Sequence, residues 1–217
     1  MSSPPTLAAY LADPSLFSLA TTFEEGDERR RPVLEVAARL LAEEGPHGLS
    51  LRRIAAEAGG STQLVYTLFG GKSGLADALY AEGFGRLSAV CRAALSECPP
   101  PGDPERLMAV GRAYRAFAQA EPAFFAVMFG RAIPDFTPTK STTGQCRANT
   151  FGSLVAEVQA CLDAGTLVGG TAEDLARLCW VTVHGVSALE SAGMLRADDP
   201  DAFVEEALRT PLLAHRP

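Results

Sequence analysis

Residues 49–72 read LSLRRIAAEAGGSTQLVYTLFGGK, and their punctuation decides the fold. Leu51, Ile54, Ala55 and Ala58 recur at the spacing of one helical face, and Ser50 before them is a good N-cap. Gly59-Gly60 stops that helix. Ser61 can cap a second short helix, Thr62 to Phe69, whose apolar side is Leu64, Val65, Leu68 and Phe69. Gly70-Gly71 stops this one in turn. The outward side of the second helix offers Thr62, Gln63, Tyr66 and Thr67, rather than the Lys/Glu mixture of a merely solvated face. Such groups suit base edges in a DNA major groove. Gln can pair bidentately with adenine, and Thr presents a hydroxyl and a methyl to thymine. Lys72 follows at the start of the next helix, where an ammonium and exposed N–H groups both favour a phosphate.

Working outward, Val33, Val36, Ala37, Leu40 and Leu41 lie on one face of an upstream helix that Gly45-Pro46 ends. Downstream, a long helix runs from Ser73 to about Cys98, and Pro99-Pro100-Pro101-Gly102 is a turn. Asp103-Pro104 opens a helix that Pro122 interrupts, and a short apolar helix follows with Phe124, Phe125, Met128 and Phe129. Residues 130–145, with Pro134, Pro138 and several Thr and Ser, read as a loop. Phe151, Leu154, Val155, Val158 and Leu162 mark another helix; Thr171 with Asp174 is a capping box for the next, to about Gly193. Asp199-Pro200 opens a last helix that Pro211 bends or ends. No stretch reads as a strand and none repeats. The fold class is all-α: a three-helix helix-turn-helix head followed by a helical domain.

The segment from Val33 to Gly83, and above all LSLRRIAAEAG-GS-xxxVYTLFGGK with its Tyr-x-x-Phe-x-x-Lys ending, resembles the DNA-binding head of TetR-type transcriptional regulators. The resemblance implies a division into an N-terminal extension (1–27), a DNA-binding head (28–75) and a helical effector-binding and dimerisation domain (76–217). It implies DNA contacts from Arg30, Ser50, Arg52, Ser61, Thr62, Gln63, Tyr66, Thr67 and Lys72. Arg30, within the run Arg29-Arg30-Arg31, would reach backbone or minor groove; Ser50, Arg52, Tyr66 and Lys72 would hold phosphates; Thr62, Gln63 and Thr67 would face bases. Ala55, Ala58 and Gly59 would let the two short helices pack closely. The sequence departs from the family twice: Gly60 stands where an apolar residue is usual, and Gly70-Gly71 is looser than the usual turn. Each such glycine adds unfolded-state entropy of about 0.5–1 kcal/mol.

The later residues resemble the C-terminal domain of one TetR subgroup, marked by Trp180-x-x-x-His184-Gly185, Gly111-Arg112-Ala113-Tyr114-Arg115-Ala116-Phe117 and Phe124-Phe125-Ala126-Val127-Met128-Phe129-Gly130. This implies a small-molecule pocket, for which Tyr114, Phe117, Phe125, Met128, Phe129, Phe151, Trp180 and His184 are candidates. Five of the eleven phenylalanines fall at 117, 124, 125, 129 and 136, which suits an apolar or aromatic effector. It also implies a homodimer through the helices at about 148–164 and 172–193. Its two-fold symmetry would set two recognition helices about 34–36 Å apart on a pseudo-palindromic double-stranded operator.

The net charge is −7, from 26 acids and 19 bases, which at first disfavours a nucleic-acid partner. Its distribution reverses that inference. Residues 1–27 carry four acids and no base; residues 28–92 carry nine bases and seven acids; the remaining acid surplus lies beyond 92. The mildly basic segment is the one that contains the helix-turn-helix.

Other chemistries find little support. Gly71-Lys72-Ser73 lacks the earlier glycine of a P-loop, since position 66 is Tyr, and His184-Gly185-Val186-Ser187 lacks the second glycine of a hydrolase elbow. The histidines at 47, 184 and 215 have no ligand spacing, and the five cysteines form no CxxC pair. No catalytic residue, metal or cofactor is expected. The N-terminus lacks the basic region of a secretory signal, no apolar run is long enough for a membrane span, and a cytoplasmic protein with free thiols is expected. The expected function is a ligand-responsive DNA-binding regulator, most simply a repressor released from its operator by a small molecule. The alternative is a small-molecule-binding helical protein whose head no longer binds DNA; an all-α enzyme is the more remote rival.

Overall fold

A computed structural model describes residues 29–217 except Arg196. The expected acidic extension, 1–27, lies outside the described residues. Ten α-helices and one 3-10 turn account for the regular structure among them. They are α1 (Arg30–Glu44), a 3-10 turn (Gly45–Gly48), α2 (Leu51–Glu57), α3 (Thr62–Phe69) and α4 (Lys72–Ser96). After these come α5 (Glu105–Ala120), α6 (Pro122–Phe129), α7 (Lys140–Asn149), α8 (Phe151–Asp163), α9 (Ala172–Ser191) and α10 (Pro200–Leu213). Among the described residues the chain is all-α, as its periodicity predicts.

Packing divides the chain into two compact units. One contains the described residues up to Arg86 together with Glu121–Cys146; the other contains Leu87–Ala120 and Arg147–Pro217.

In the first unit, α1 packs on the 3-10 turn, α2 and α6, and α2 packs on α3. Val33, Ala37, Leu40 and Leu41 of α1 are buried with Ile54, Ala55, Val65, Phe69 and Leu75. Each of the larger of these side chains contributes about 1.5–3 kcal/mol on leaving water. Val36, on the same expected face, is only half-buried. On the outside of this core, Arg53 pairs with Glu44 and Glu57, and Arg39 pairs with Glu43 and Glu57. This chain of exposed charges ties α1 to α2.

The expected loop over 130–145 holds for residues 130–139 and is corrected from Lys140 on, where α7 begins. Its sequence, KSTTGQCRAN, is polar and buries only Cys146, so no apolar period announces it. Its first turn is closed by a distant group. Thr139 Oγ1 accepts from the Thr142 N–H at 3.1 Å, while the Asp77 carboxylate of α4 accepts from the Thr139 N–H at 2.9 Å and the Thr142 hydroxyl at 2.6 Å. A carboxylate at a helix N-terminus satisfies orphan donors and favours the dipole.

In the second unit α9 packs on α5, α8 and α10. Three arginines of α5 each reach a different helix: Arg106 to Glu157 of α8, Arg112 to Glu205 of α10 and Arg115, bidentately, to Glu190 of α9. Thr171 caps α9 as expected, accepting from the Asp174 N–H. Asp199 caps α10, which continues through Pro211 to Leu213.

Candidate nucleic-acid interface

The helix-turn-helix lies wholly in the first unit. Ser61 caps α3 by accepting from the Leu64 N–H at 3.2 Å. Ser50 stands at the N-cap of α2 with extended backbone but forms no side-chain cap bond, so the expected capping bond is corrected; its side chain is left at the exposed helix start. Val65 and Phe69 anchor α3 from beneath, which turns Gln63, Tyr66 and Thr67 outward, with Thr62 half-buried at the helix start. Tyr66 is 51% exposed despite its ring, a large apolar surface left open on a polar face. The Thr67 hydroxyl donates to the Gln63 carbonyl at 2.9 Å, leaving its oxygen and methyl outward.

The turn into α4 depends on glycine. Gly70 and Gly71 have φ of +72° and +114°, so the doublet is what the turn geometry requires rather than a loosened version of it. A Cβ on Gly71 would lie 3.2 Å from Cε1 of Tyr66, so the bare backbone lets the phenol ring lie over the turn. At Gly74 a Cβ would come within 1.7 Å of the Phe69 carbonyl oxygen. The first turn of α4 is therefore packed directly on the end of α3, and exposed Lys72 directly follows the glycine that the Tyr66 ring overlies. Gly60, the other departure, has a simple reason: a Cβ there would meet Cδ2 of Leu64 at 2.9 Å, and the Leu64 side chain covers the turn itself.

The basic residues divide sharply. Hydrogen bonds donated to Glu44 and Glu57 hold the Arg53 guanidinium above its ordinary pKa, and those donated to Glu57 and Glu43 do so for Arg39; the same bonds lower the Glu57 carboxyl. Arg30, expected to reach DNA, donates through NH1 to the Leu68 carbonyl at 2.8 Å, with its guanidinium 4.5 Å from the centre of the Phe69 ring. Arg52 and Lys72 remain exposed, with no ion pair to any described carboxylate. The structure thus gathers Ser61, Gln63, Tyr66, Thr67 and Lys72 on and beside one outward helix face, with Ser50 and Arg52 at the start of α2.

Sequence reading missed two groups in this unit. Arg86 of α4 is 2% exposed, and its guanidinium meets Glu82 at 2.8 Å, Glu121 at 2.7 Å and Glu35, while lying 4.4 Å from the centre of the Phe124 ring. Burial opposes its charge, but the three carboxylates outweigh burial and hold it protonated; burial raises the Glu121 carboxyl against the pull of Arg86. This knot joins α1, α4 and the start of α6. Asp77, the capping carboxylate of α7, is the second.

The expected effector residues fall into two clusters. In the second unit Tyr114 Oη lies 2.8 Å from His184 Nδ1, and the Trp180 ring centre lies 6.4 Å from that of His184 and 5.7 Å from that of Phe151. Phe117 is fully buried in α5. Phe125, Met128 and Phe129 belong to the first unit, where Phe129 packs on Phe125 and on Phe84 of α4, and Phe84 on Tyr80. All five cysteines are free, and burial pushes Cys91 up to about 12 and Cys146 and Cys179 up to about 11, as inert thiols. Among the described residues no His, Cys, Asp and Glu cluster could hold a metal, and no helix is long and apolar enough to cross a membrane.

Comparison with known proteins places this geometry. The model of the bacterial regulatory proteins of the tetR family matches residues 33–79, and that of the tetracyclin repressor-like C-terminal domain matches residues 107–210. A helix-turn-helix-type transcriptional regulator of Mycobacterium tuberculosis is 24% identical over 135 residues, covering 62% of this chain and 58% of that protein. The chain thus matches under three fifths of the length of such curated relatives. A solved structure of a Rhodococcus sp. RHA1 protein of unknown function superposes with a TM-score of 0.76 at 30% identity, covering 91% of this chain and all of that one. The fatty acid degradation regulator FadR of Bacillus halodurans shares the fold, with a TM-score of 0.71 at 17% identity over 89% of this chain and 100% of that chain. With both its head and its helical domain matched, the chain belongs to the TetR family of bacterial regulatory proteins.

Proposed function

We propose that the chain is a transcriptional regulator that binds double-stranded DNA through α3 and is released by a small molecule held in its helical domain. The observation that carries this reading is the outward face of α3. A half-exposed tyrosine, a glutamine and a threonine stand there beside an exposed lysine at the next helix start. Gln63 and Thr67 supply base readout; Tyr66, Lys72, Ser50 and Arg52 hold the phosphate backbone. Two such heads on a two-fold axis read a pseudo-palindrome. Leu178, Val181 and Leu189 leave an apolar stripe exposed along α9, which supports dimerisation through α8 and α9. The Tyr114–His184–Trp180–Phe151 cluster supports an apolar or aromatic effector with one hydrogen-bonding group. Release follows if the effector prefers the conformation in which the two heads no longer fit successive grooves. Repression is the simplest outcome of such release.

The test is selection of bound duplexes from a random-sequence pool with the full chain. Recovery of a pseudo-palindromic consensus, bound less tightly as salt rises, supports the reading; absence of enrichment overturns it. A second reading, a helical binder whose head has lost DNA, is favoured by one observation: Arg30, Arg39 and Arg53 are all engaged within the head.

A further inference from the structure

We infer that Arg30 is a positioning residue for DNA reading: it fixes the orientation of α3 from behind rather than touching DNA. The inference rests on the proposed DNA-binding role of α3 and says which side chain holds that helix in register.

Arg30 is the first residue of α1, and the groups it holds lie 38 residues on. Its guanidinium does two things at one end of α3. NH1 donates to the Leu68 carbonyl at 2.8 Å, a group in the last turn of the helix where a carbonyl lacks its own helical partner. A cation there also matches the negative end of the helix dipole. The same planar group lies over the Phe69 ring, 4.5 Å from its centre, and Phe69 is itself a buried anchor of α3. One side chain thus grips both the backbone end and the core residue of the reading helix. The geometry needs a plane that donates along its edge and stacks on its face, which arginine provides and lysine does not. Thr67 adjoins Leu68 and Gln63 lies one turn further back, so a small rotation of α3 about this end moves both out of line with the bases they read.

A positioning role and a phosphate contact leave different signatures. A phosphate contact contributes to every duplex alike and to the salt dependence, at about 0.9 in the slope of log affinity against log salt for each contact. A positioning role acts on sequence reading alone. The experiment compares full-length wild type, Arg30→Ala and Arg30→Lys. Each is titrated against a duplex selected by the wild type and a scrambled duplex of equal length, by fluorescence anisotropy over a salt series. The expected result is a loss of about tenfold on the selected duplex for both variants, with scrambled-duplex affinity and salt slope unchanged. Parallel losses on both duplexes, a reduced slope and recovery by Arg30→Lys overturn the inference while leaving the DNA-binding role intact. Failure of the wild type to select any duplex overturns that role and the inference with it. Arg30→Lys keeps the charge, and Phe69→Leu removes only the ring, so these two decide the matter if Arg30→Ala does not fold; wild-type discrimination in both overturns the inference.

Discussion

The phenol oxygen of Tyr114 and Nδ1 of His184, 2.8 Å apart, bridge α5 and α9 in the middle of the helical domain. Burial raises the Tyr114 phenol, offset in part by a hydrogen bond from Trp180, and burial lowers His184, so both groups are neutral near pH 7. A His whose folded pKa is depressed stabilises the fold above its unfolded value, about 6.5, and that contribution is lost as pH falls through the folded value. Stability measured by urea unfolding is therefore expected to decline between pH 7 and 5, and His184→Gln to flatten this decline. Tyr114→Phe removes the partner of a part-buried ring nitrogen, at a cost of about 1–2 kcal/mol. An unchanged pH profile in His184→Gln would show that His184 is not the group that titrates.

Gly74 and Gly60 predict opposite outcomes for the same substitution. Gly74→Ala drives a methyl into the Phe69 carbonyl, which is backbone and cannot move without parting α3 from α4. A loss above about 2 kcal/mol in a thermal or urea melt is expected. Gly60→Ala meets only the tip of Leu64, which can change rotamer, and should stay within about 1 kcal/mol of wild type.

Arg86→Met leaves the buried Glu82 and the nearly buried Glu121 without their common cation. Breaking such a group from one side costs about 3–5 kcal/mol. Because the remaining carboxylates can be relieved by protonation, the variant should regain part of its stability as pH is lowered from 7 to 5, and equilibrium unfolding at the two pH values checks this.

On the DNA side, Lys72→Ala and Tyr66→Ala are expected to weaken binding on all duplexes, with Lys72→Ala also lowering the salt slope by about 1 per head. Gln63→Ala should instead relax base preference at one position in each half-site, by about 1–3 kcal/mol. A Lys72→Ala protein with unchanged affinity and slope would remove α3 and the start of α4 from the proposed interface.

Val181, 62% exposed in the middle of α9, is the point at which a charge should matter most if this stripe faces a second copy. Val181→Glu is expected to shift sedimentation from dimer to monomer while leaving the helical content of the chain intact. A variant that sediments as the wild type does would move the dimer contact elsewhere.

What was legible in the sequence is what short-range physics dictates. The helix-turn-helix is spelled by Ser61, Gly70, Gly71 and an apolar face repeated every turn, and the caps of α9 and α10 lie within three residues of the donors they satisfy. What was not legible is what distant residues decide. Thr139 caps α7 within three residues, but the carboxylate that completes the cap is Asp77, 62 residues before it, and with only Cys146 buried no apolar period announces the helix. Glu82 lies one turn before Arg86, but its other two partners, Glu121 and Glu35, stand 35 and 51 residues away, and nothing local to the arginine names them. A run of three arginines reads as an arm, whereas the Leu68 carbonyl that Arg30 also binds becomes visible only when α1 and α3 are packed.

The pairing of Arg39 and Arg53 with Glu43, Glu44 and Glu57 has a consequence for search kinetics. A head that spends these cations on itself projects a weak long-range field. Its encounters with random duplex would then be brief, with little sliding along the chain and many short hops. Such a regulator finds its site slowly but is not held by the bulk of the chromosome, so that once an effector loosens the two heads, nothing but the site itself delays departure.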